Sequence, residues 1–194
     1  MKARSEKLGD RAAVKATMLQ AHLTWAEERL GGALVTRLGP KLPDASKRLV
    51  SEPLLATEWI PFRSLIELDR AIASAAGGDP EQVYQALGRH SATRNLSGVY
   101  RNFVPDEPHR FFEQMALLHG RFQNFGRSTY EKAGDHAGRI RVEGYDEYSP
   151  VFCASGNGYY EGALQMMKVP GPISAVETAC QCAGDPACVY DLGW

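Results

Sequence analysis

The sequence lacks the features that would place the protein in a membrane, in the secretory pathway or on nucleic acid. None of its apolar runs approaches the ~20 residues that a membrane-spanning helix needs, and its first residues have no apolar core like that of a signal peptide. The 194 residues include 22 basic and 23 acidic side chains, a formal net charge of −1, which disfavours general binding to nucleic acid or to a membrane surface. We therefore expect a soluble, cytoplasmic protein.

Motifs for catalysis and for phosphate binding are also missing. Ser155 stands in the segment ASGNG (154–158), which is not the Gly-x-Ser-x-Gly turn of a hydrolase. The glycine-rich segment 156–162 lacks the Lys and the Ser or Thr of a phosphate-binding loop, and the chain has no dinucleotide-binding fingerprint. We therefore expect a protein that is not an enzyme.

Apolar periodicity predicts five or so helices before residue 126 and a change of pattern after it. The clearest helical patterns cover residues 12–30, 64–76, 79–96 and 108–125. Later segments alternate like strands and form two hairpins, 128–143 and 173–192, around a helix at 151–168. Helices first and a strand–helix–strand block last indicate an α+β protein with a mostly antiparallel sheet.

The charge is uneven along the chain. Residues 1–50 carry ten basic and five acidic side chains, a balance of +5, and residues 151–194 carry one basic and four acidic ones, a balance of −3. A solvated helix face is the simplest explanation of the basic segment, and contact with an acidic partner is the alternative. We expect residues 1–50 to form an N-terminal helical extension that is a candidate oligomerisation segment.

All four cysteines, Cys153, Cys180, Cys182 and Cys188, fall in the last 42 residues. Without an export signal, metal binding or redox chemistry explains such a cluster better than disulfides do; four ordinary reduced thiols are the alternative. Glu177 precedes Cys180 by three residues. Three thiolates and one carboxylate would make a four-coordinate structural zinc site with no open position for water.

The spacing of Glu177 and Cys180 sets a condition on such a site. The two positions differ by an odd number of residues, so a regular strand would point their side chains to opposite faces. A bulge or an irregular turn near Thr178-Ala179 is therefore required for both to reach one ion. Cys182 shares the parity of Cys180 and either replaces it or packs as a buried small side chain.

The pattern Cys153…Gly162…Glu177-x-x-Cys180…Gly184-Asp185-Pro186-x-Cys188 resembles the C-terminal half of the vinyl-4-reductase domain superfamily, in particular the sensor domains of phenol-responsive transcriptional activators. The resemblance implies that one zinc ion is bound by Cys153, Glu177, Cys180 and Cys188, with Cys182 outside the site. It also implies that residues 51–194 form a ligand-binding-like domain that ends in a zinc hairpin. Phenol is not the expected ligand, because those sensors hold its hydroxyl with a His and a Trp, and no Trp occurs between Trp59 and Trp194.

Longer stretches resemble a paralogous family expanded in myxobacteria: VKATMLQ (14–20), GGDPEQVYQALGR (77–89), LSGVYRNFV (96–104) and FCASGNGYYEGAL (152–164). The related folds include heme-based nitric-oxide sensors and small subunits of the TRAPP tethering complex. They imply helices packed on a four-stranded antiparallel sheet, a nitric-oxide-signalling/Golgi-transport ligand-binding-like fold, around an apolar pocket. A heme protein is not expected, because the Tyr-x-Ser-x-Arg anchor of the heme sensors is absent.

Aromatic and methionine side chains at helical spacing would line such a pocket, although a filled core is the simpler explanation of the pattern. Within this set, the histidines and tyrosines are candidates for polar recognition. The candidate ligand-binding residues are Phe103, His109, Phe112, Met115, His119, Phe122, Tyr130, Tyr159 and Met166.

These expectations favour a non-enzymatic sensor or regulatory protein that binds a small apolar or aromatic molecule and a structural zinc ion. It would act as a homodimer or through a partner protein, without direct contact to nucleic acid or membrane. The alternative is a scaffold or assembly subunit that acts through protein contacts and binds no ligand.

Overall fold

The computed structural model describes residues 4–97 and 107–194, which contain seven α-helices and six β-strands. The helices are α1 (Ala16–Leu30), α2 (Leu34–Leu38), α3 (Asp44–Ser51), α4 (Phe62–Ala76), α5 (Pro80–Ser97), α6 (Pro108–Phe122) and α7 (Pro150–Met166). The strands are β1 (Ala13–Lys15), β2 (Trp59–Pro61), β3 (Arg127–Gly134), β4 (Ala137–Glu143), β5 (Ser174–Ala179) and β6 (Ala187–Gly193). Within this part of the chain, every helix is too short or too polar to span a membrane.

The last four strands form one antiparallel sheet in the order β3-β4-β6-β5. In β4, Ile140 and Val142 are buried, while the alternating Arg139 and Arg141 are exposed, so one face of the sheet is covered and the other faces solvent. The expected α+β fold with a four-stranded antiparallel sheet is confirmed.

Two elements before residue 62 depart from the sequence expectation. The helix predicted from residue 12 begins at Ala16, because residues 13–15 pair with residues 59–61 as a two-stranded antiparallel sheet. Helix α3 is not among the clearest helical patterns of the sequence. Pro43 precedes it directly, a place where its missing N–H costs no helical hydrogen bond.

The buried apolar side chains form two clusters. The first joins α1, α3 and α4, and contains the fully or nearly fully buried Leu19, Leu49 and Leu65. The second joins α6, α7 and the four-stranded sheet, and contains Phe112 and Ile140. Residues on both sides of position 50 thus share the first cluster; a boundary between domains at that position stays a prediction.

Helices α5 and α7 touch at the level of their backbones. A Cβ placed on Gly158 of α7 would overlap the carbonyl oxygen of Gln85, and one placed on Gly88 of α5 would overlap the carbonyl oxygen of Ser155. Only glycine leaves room for such an approach. Gly156, two residues from Gly158, is different, because its added Cβ would meet its nearest neighbour, the Tyr190 hydroxyl, at an ordinary 3.6 Å.

We therefore expect Gly158→Ala to lower the free energy of unfolding by about 1–3 kcal/mol, as overpacking does. The matched variant Gly156→Ala should raise it by up to about 1 kcal/mol, since alanine is the better helix former. Urea unfolding of the two variants and the parent chain makes the comparison. Equal effects of the two substitutions would contradict the close backbone contact.

The N-terminal segment is fixed to the loop before α7 by one carboxylate. Glu147 is 6% exposed and accepts hydrogen bonds from the backbone N–H groups of Gly9 (2.8 Å), Arg11 (3.1 Å) and Ala12 (3.1 Å). Burial alone would raise the pKa of Glu147, but these three donors hold that pKa below its ordinary value.

A group whose pKa is lowered by folding stabilises the fold above its unfolded pKa of about 4.3, and this contribution is lost as the pH falls through the folded pKa. We expect Glu147→Gln to cost about 1–3 kcal/mol at pH 7, and the difference from the parent chain to shrink at pH 4 and below. Urea unfolding at a series of pH values measures both. The control is Asp146→Asn, the same charge change on the exposed neighbouring residue; if it cost as much as Glu147→Gln, the hydrogen bonds would not be the cause.

Candidate functional site

A cavity of about 200 Å³ lies between α1, α5, α6 and α7 on one side and strands β4 and β6 on the other. Its wall is mostly aromatic and aliphatic, as expected of a site for a small organic molecule. The aromatic residues of the wall are Phe111, Phe122, Phe152, Tyr145, Tyr159, Tyr160 and Tyr190, and the aliphatic ones are Met18, Leu65, Leu96, Met115, Leu118 and Val142.

The structure divides the candidate ligand-binding residues into two groups. Positions 115, 118, 119 and 122 share one face of α6, so Met115, His119 and Phe122 line the cavity, as does Tyr159 of α7. The cavity wall does not include His109, Phe112, Tyr130 or Met166. Phe103 lies outside the described residues.

His109 belongs to an aromatic cluster against β3, away from the cavity. The Tyr130 hydroxyl donates to His109 Nδ1 (2.6 Å), and His109 Nε2 donates to the backbone carbonyl of Asp135 (3.0 Å). The rings of Phe112 and Trp194 pack against this pair, and burial raises the pKa of Tyr130 to about 12. Since both ring nitrogens of His109 are engaged, its role in this structure is to hold α6 on the sheet.

The polar groups at the α6 end of the cavity also bond to one another. Gln123 Nε2 donates to the Tyr145 hydroxyl (2.5 Å), and His119 Nε2 contacts the backbone carbonyl of Phe125 (3.2 Å). Burial lowers the pKa of His119 and raises that of Tyr145. A neutral imidazole and a neutral phenol suit an apolar wall.

Two buried hydroxyls of the cavity wall have no hydrogen-bond partner among the described residues. They are Ser91 Oγ on α5, in a residue that is 5% exposed, and Ser128 Oγ on β3. A buried hydroxyl without a partner is costly in a finished core. These two are explained if a molecule inside the cavity supplies the missing partner.

A buried, hydrogen-bonded histidine–aspartate pair lies where α1 meets the cavity and was missed by the sequence reasoning. His22 of α1 is 3% exposed and Asp69 of α4 is fully buried; His22 Nδ1 and Asp69 Oδ1 are 2.6 Å apart. His22 also lines the cavity. A signal was present in the sequence, since Asp69 stands between the apolar Leu68 and Ile72 on the buried face of its helix, where a lone carboxylate is costly.

The structure brings the predicted metal ligands together. The ligand atoms of Cys153, Glu177, Cys180 and Cys188 all lie within 4.8 Å of one another. The register of β5 against β6 shifts between Glu177 and Ala179, so the bulge required near Thr178-Ala179 is confirmed. We call these four residues the cysteine–glutamate cluster.

Cys182 lies next to this cluster, with its Sγ 3.8 Å from Cys153 Sγ. Hydrogen bonds from the thiols of Cys153, Cys182 and Cys188 lower the pKa of Cys180 well below its ordinary value. A thiolate is the form of cysteine that binds metals.

The N-terminal segment covers the cluster. The backbone N–H of Ser5 donates to the carbonyl of Cys182 (2.6 Å), and Arg4 Nη2 donates to Glu177 Oε2 (2.7 Å). Burial raises the pKa of Glu177 to about 7, and Arg4 opposes that rise. Glu177 Oε1 has no partner among the described residues, so one carboxylate oxygen is left to face the sulfurs.

No family model and no curated protein matches this chain, but solved structures do. A structure that probes heme distortion in the H-NOX family is 12% identical, with a TM-score of 0.70 over 93% of this chain and 94% of that one. The oxygen complex of an oxygen-binding H-NOX domain related to soluble guanylate cyclases is 12% identical, with a TM-score of 0.69 over 92% and 94%. An H-NOX protein from S. oneidensis in the Fe(II)NO state is 13% identical, with a TM-score of 0.67 over 92% and 97%.

These likenesses correct two expectations. The assignment to the vinyl-4-reductase superfamily and to its myxobacterial relatives is wrong: it depended on short motifs and on a four-residue pattern near the C-terminus, whereas the likeness to H-NOX domains covers more than nine-tenths of the chain. The expected zinc cofactor is wrong as well, because the similar structures are described as containing heme or iron and not zinc. The chain has the fold of the H-NOX domains.

Proposed function

We propose that the protein is a sensor or regulatory domain that binds one small, neutral, apolar or aromatic molecule in the cavity between helices and sheet. The observation that carries this proposal is an apolar cavity whose wall holds buried hydroxyls without partners. Action by binding, rather than by catalysis, agrees with the proteins that share the fold, which are described as ligand-binding domains. Dimer formation and a partner protein stay predictions.

The size of the cavity supports a molecule of about one ring. An engineered apolar cavity of ~150 Å³ takes up benzene, and the present cavity holds about 200 Å³. This volume lies below the range of about 300–1,000 Å³ that is usual for drug-sized ligands. A substituted benzene or a ring of similar size fits these limits.

The charge of the wall supports a neutral molecule. Neither Lys nor Arg occurs among the described residues that line the cavity, and a buried anion without a cation is strongly disfavoured. The polar groups of the wall are hydroxyls, amides and imidazoles. Such groups recognise hydroxyl, amine or carbonyl groups on an otherwise apolar molecule.

Heme, which the structural relatives bind, does not fit this wall. Heme needs an axial ligand, space for a planar tetrapyrrole and cations for two propionates. An imidazole is available at His22, but the volume of about 200 Å³ is too small for the macrocycle and the described wall offers no Lys or Arg. The likeness to H-NOX domains therefore extends to the fold and not to the cofactor.

Benzyl alcohol and benzoate test the proposal, because both carry one benzene ring but the alcohol is neutral and benzoate is an anion. We expect benzyl alcohol to bind saturably in an NMR titration and benzoate to bind at least about tenfold more weakly, because no cation compensates its buried carboxylate. Ser91→Leu, which fills the cavity from α5, should abolish binding of the alcohol. Thr93→Leu adds an apolar side chain at an exposed position of the same helix and should leave binding unchanged.

Two results would overturn the proposal. One is equal binding of benzyl alcohol to the parent chain and to Ser91→Leu, or no binding to either. The other is a purified protein that carries one heme per chain, seen as a Soret absorption band.

We also propose that the cysteine–glutamate cluster binds one metal ion. The support is geometric: three sulfurs and a carboxylate oxygen within 4.8 Å of one another match the ligand number of a closed structural site. Glu177 Oε1, which has no partner among the described residues, adds an oxygen ligand atom. Such a site would join β5, β6 and α7.

Metal analysis of the purified protein tests this second site and names the element. We expect one ion per chain in the parent protein, loss of the ion in Cys188→Ser, and retention in Cys182→Ser, which changes the cysteine outside the cluster. The ion should also raise the midpoint of thermal unfolding, because it binds the folded state only. Full retention of the ion in Cys188→Ser, or a metal-free parent protein, would contradict the assignment.

A further inference from the structure

The His22–Asp69 pair is poised to contact a molecule in the cavity. The two side chains come from α1 and α4, and both are almost completely withdrawn from solvent. Their 2.6 Å hydrogen bond engages Nδ1 of the imidazole, while the ring itself forms part of the cavity wall. The second ring nitrogen, Nε2, is the one that Asp69 does not engage.

The bond to Asp69 determines whether Nε2 of His22 donates or accepts a hydrogen bond. An ionised carboxylate only accepts hydrogen bonds, so Nδ1 carries the proton that bonds to Asp69, and in the neutral imidazole Nε2 is left as an acceptor. A carboxylate behind the ring also makes the imidazole a better acceptor, as it does behind metal-bound and catalytic histidines. Nε2 of His22 has no hydrogen-bond partner among the residues that the structure describes.

His119, the other histidine of the cavity wall, has hydrogen-bond partners at its Nε2. His119 Nε2 contacts the Phe125 carbonyl (3.2 Å) and the Gln123 side chain (2.9 Å), so its partners come from the protein. Nε2 of His22 in contrast is a ring nitrogen without a partner among the described residues, in a side chain that lines the cavity. Leaving such an acceptor dry costs free energy that a donor on the ligand would recover.

We propose that His22, held in one tautomer by Asp69, accepts a hydrogen bond from the bound molecule. His22 is then the residue that selects the ligand, and Asp69 is its positioning residue. This inference rests on the proposed function and narrows it: the ligand is a small, neutral ring that carries an O–H or N–H donor, and a ring of the same shape without a donor binds more weakly.

Pyrrole and furan provide a matched pair of probes, because the two rings have nearly the same size and only pyrrole carries a donor. We expect the parent chain to bind pyrrole about three- to tenfold more tightly than furan, the value of one hydrogen bond, in NMR titrations. In Asp69→Asn, the amide N–H₂ donates to Nδ1 and moves the ring proton to Nε2. The preference for pyrrole should then disappear or reverse.

A second variant guards against a folding defect in Asp69→Asn, whose site is buried. The double substitution His22→Phe with Asp69→Leu replaces both partners by apolar side chains, a change that leaves no unpaired charge. It should bind both rings with a pyrrole-to-furan ratio near one. A residue with only a structural role would change both affinities together and leave that ratio as it is in the parent chain.

The outcomes separate the two proposals. If the parent chain binds both rings equally, or if the double variant keeps the preference for pyrrole, the role of His22 is wrong and the proposed cavity function stands. If the parent chain binds neither ring and does not bind benzyl alcohol, the proposed function fails and this inference fails with it.

Discussion

The backbone contact between α5 and α7 is the constraint on which both candidate sites depend. Gly88 and Gly158 let the two helices approach until a single added carbon would overlap a carbonyl oxygen. With the helix axes fixed in this way, Ser91 on α5 and Tyr159 on α7 face the same space. The cavity wall on the helical side is therefore positioned by two helices that touch at their glycines.

Helix α7 also contributes a residue to the cysteine–glutamate cluster, so its packing on α5 affects the position of that cluster as well. Cys153 lies in its first turns, belongs to the cluster and lines the cavity, as Cys188 of β6 does. The Tyr190 hydroxyl, also in the cavity wall, donates to the backbone carbonyl of Cys153 (3.4 Å). The two sites thus share one wall, and the packing of α7 on α5 determines the position of that wall for both.

Much of this architecture could be predicted from the sequence because it is periodic or local. The α6 pattern gave its helix to within three residues, and the odd spacing of Glu177 and Cys180 demanded the bulge that the β5–β6 register contains. The strands β1 and β2 escaped prediction, since three residues are too few to show a period. The choice of which face of α6 lines the cavity also depended on where β3 packs, which no local pattern encodes.

The polar chemistry of the cavity could be predicted least. His22 and Asp69 are 47 positions apart on two different helices, so no local pattern in either helix identifies the partner of the other residue. The packing of α1 on α4 withdraws both side chains from water. Each then needs the other as a partner, because a buried polar group without one is costly. The same reasoning explains how chains that share a fold can differ in the polar groups that line their cavities. The fold determines where helices and sheet leave a space, while a few buried side chains determine what that space can bind. In this chain those side chains include an imidazole, two serine hydroxyls and no described cation. Such a wall has no described cation to pair with two propionates, but it has hydrogen-bond partners for one hydroxyl or amine group.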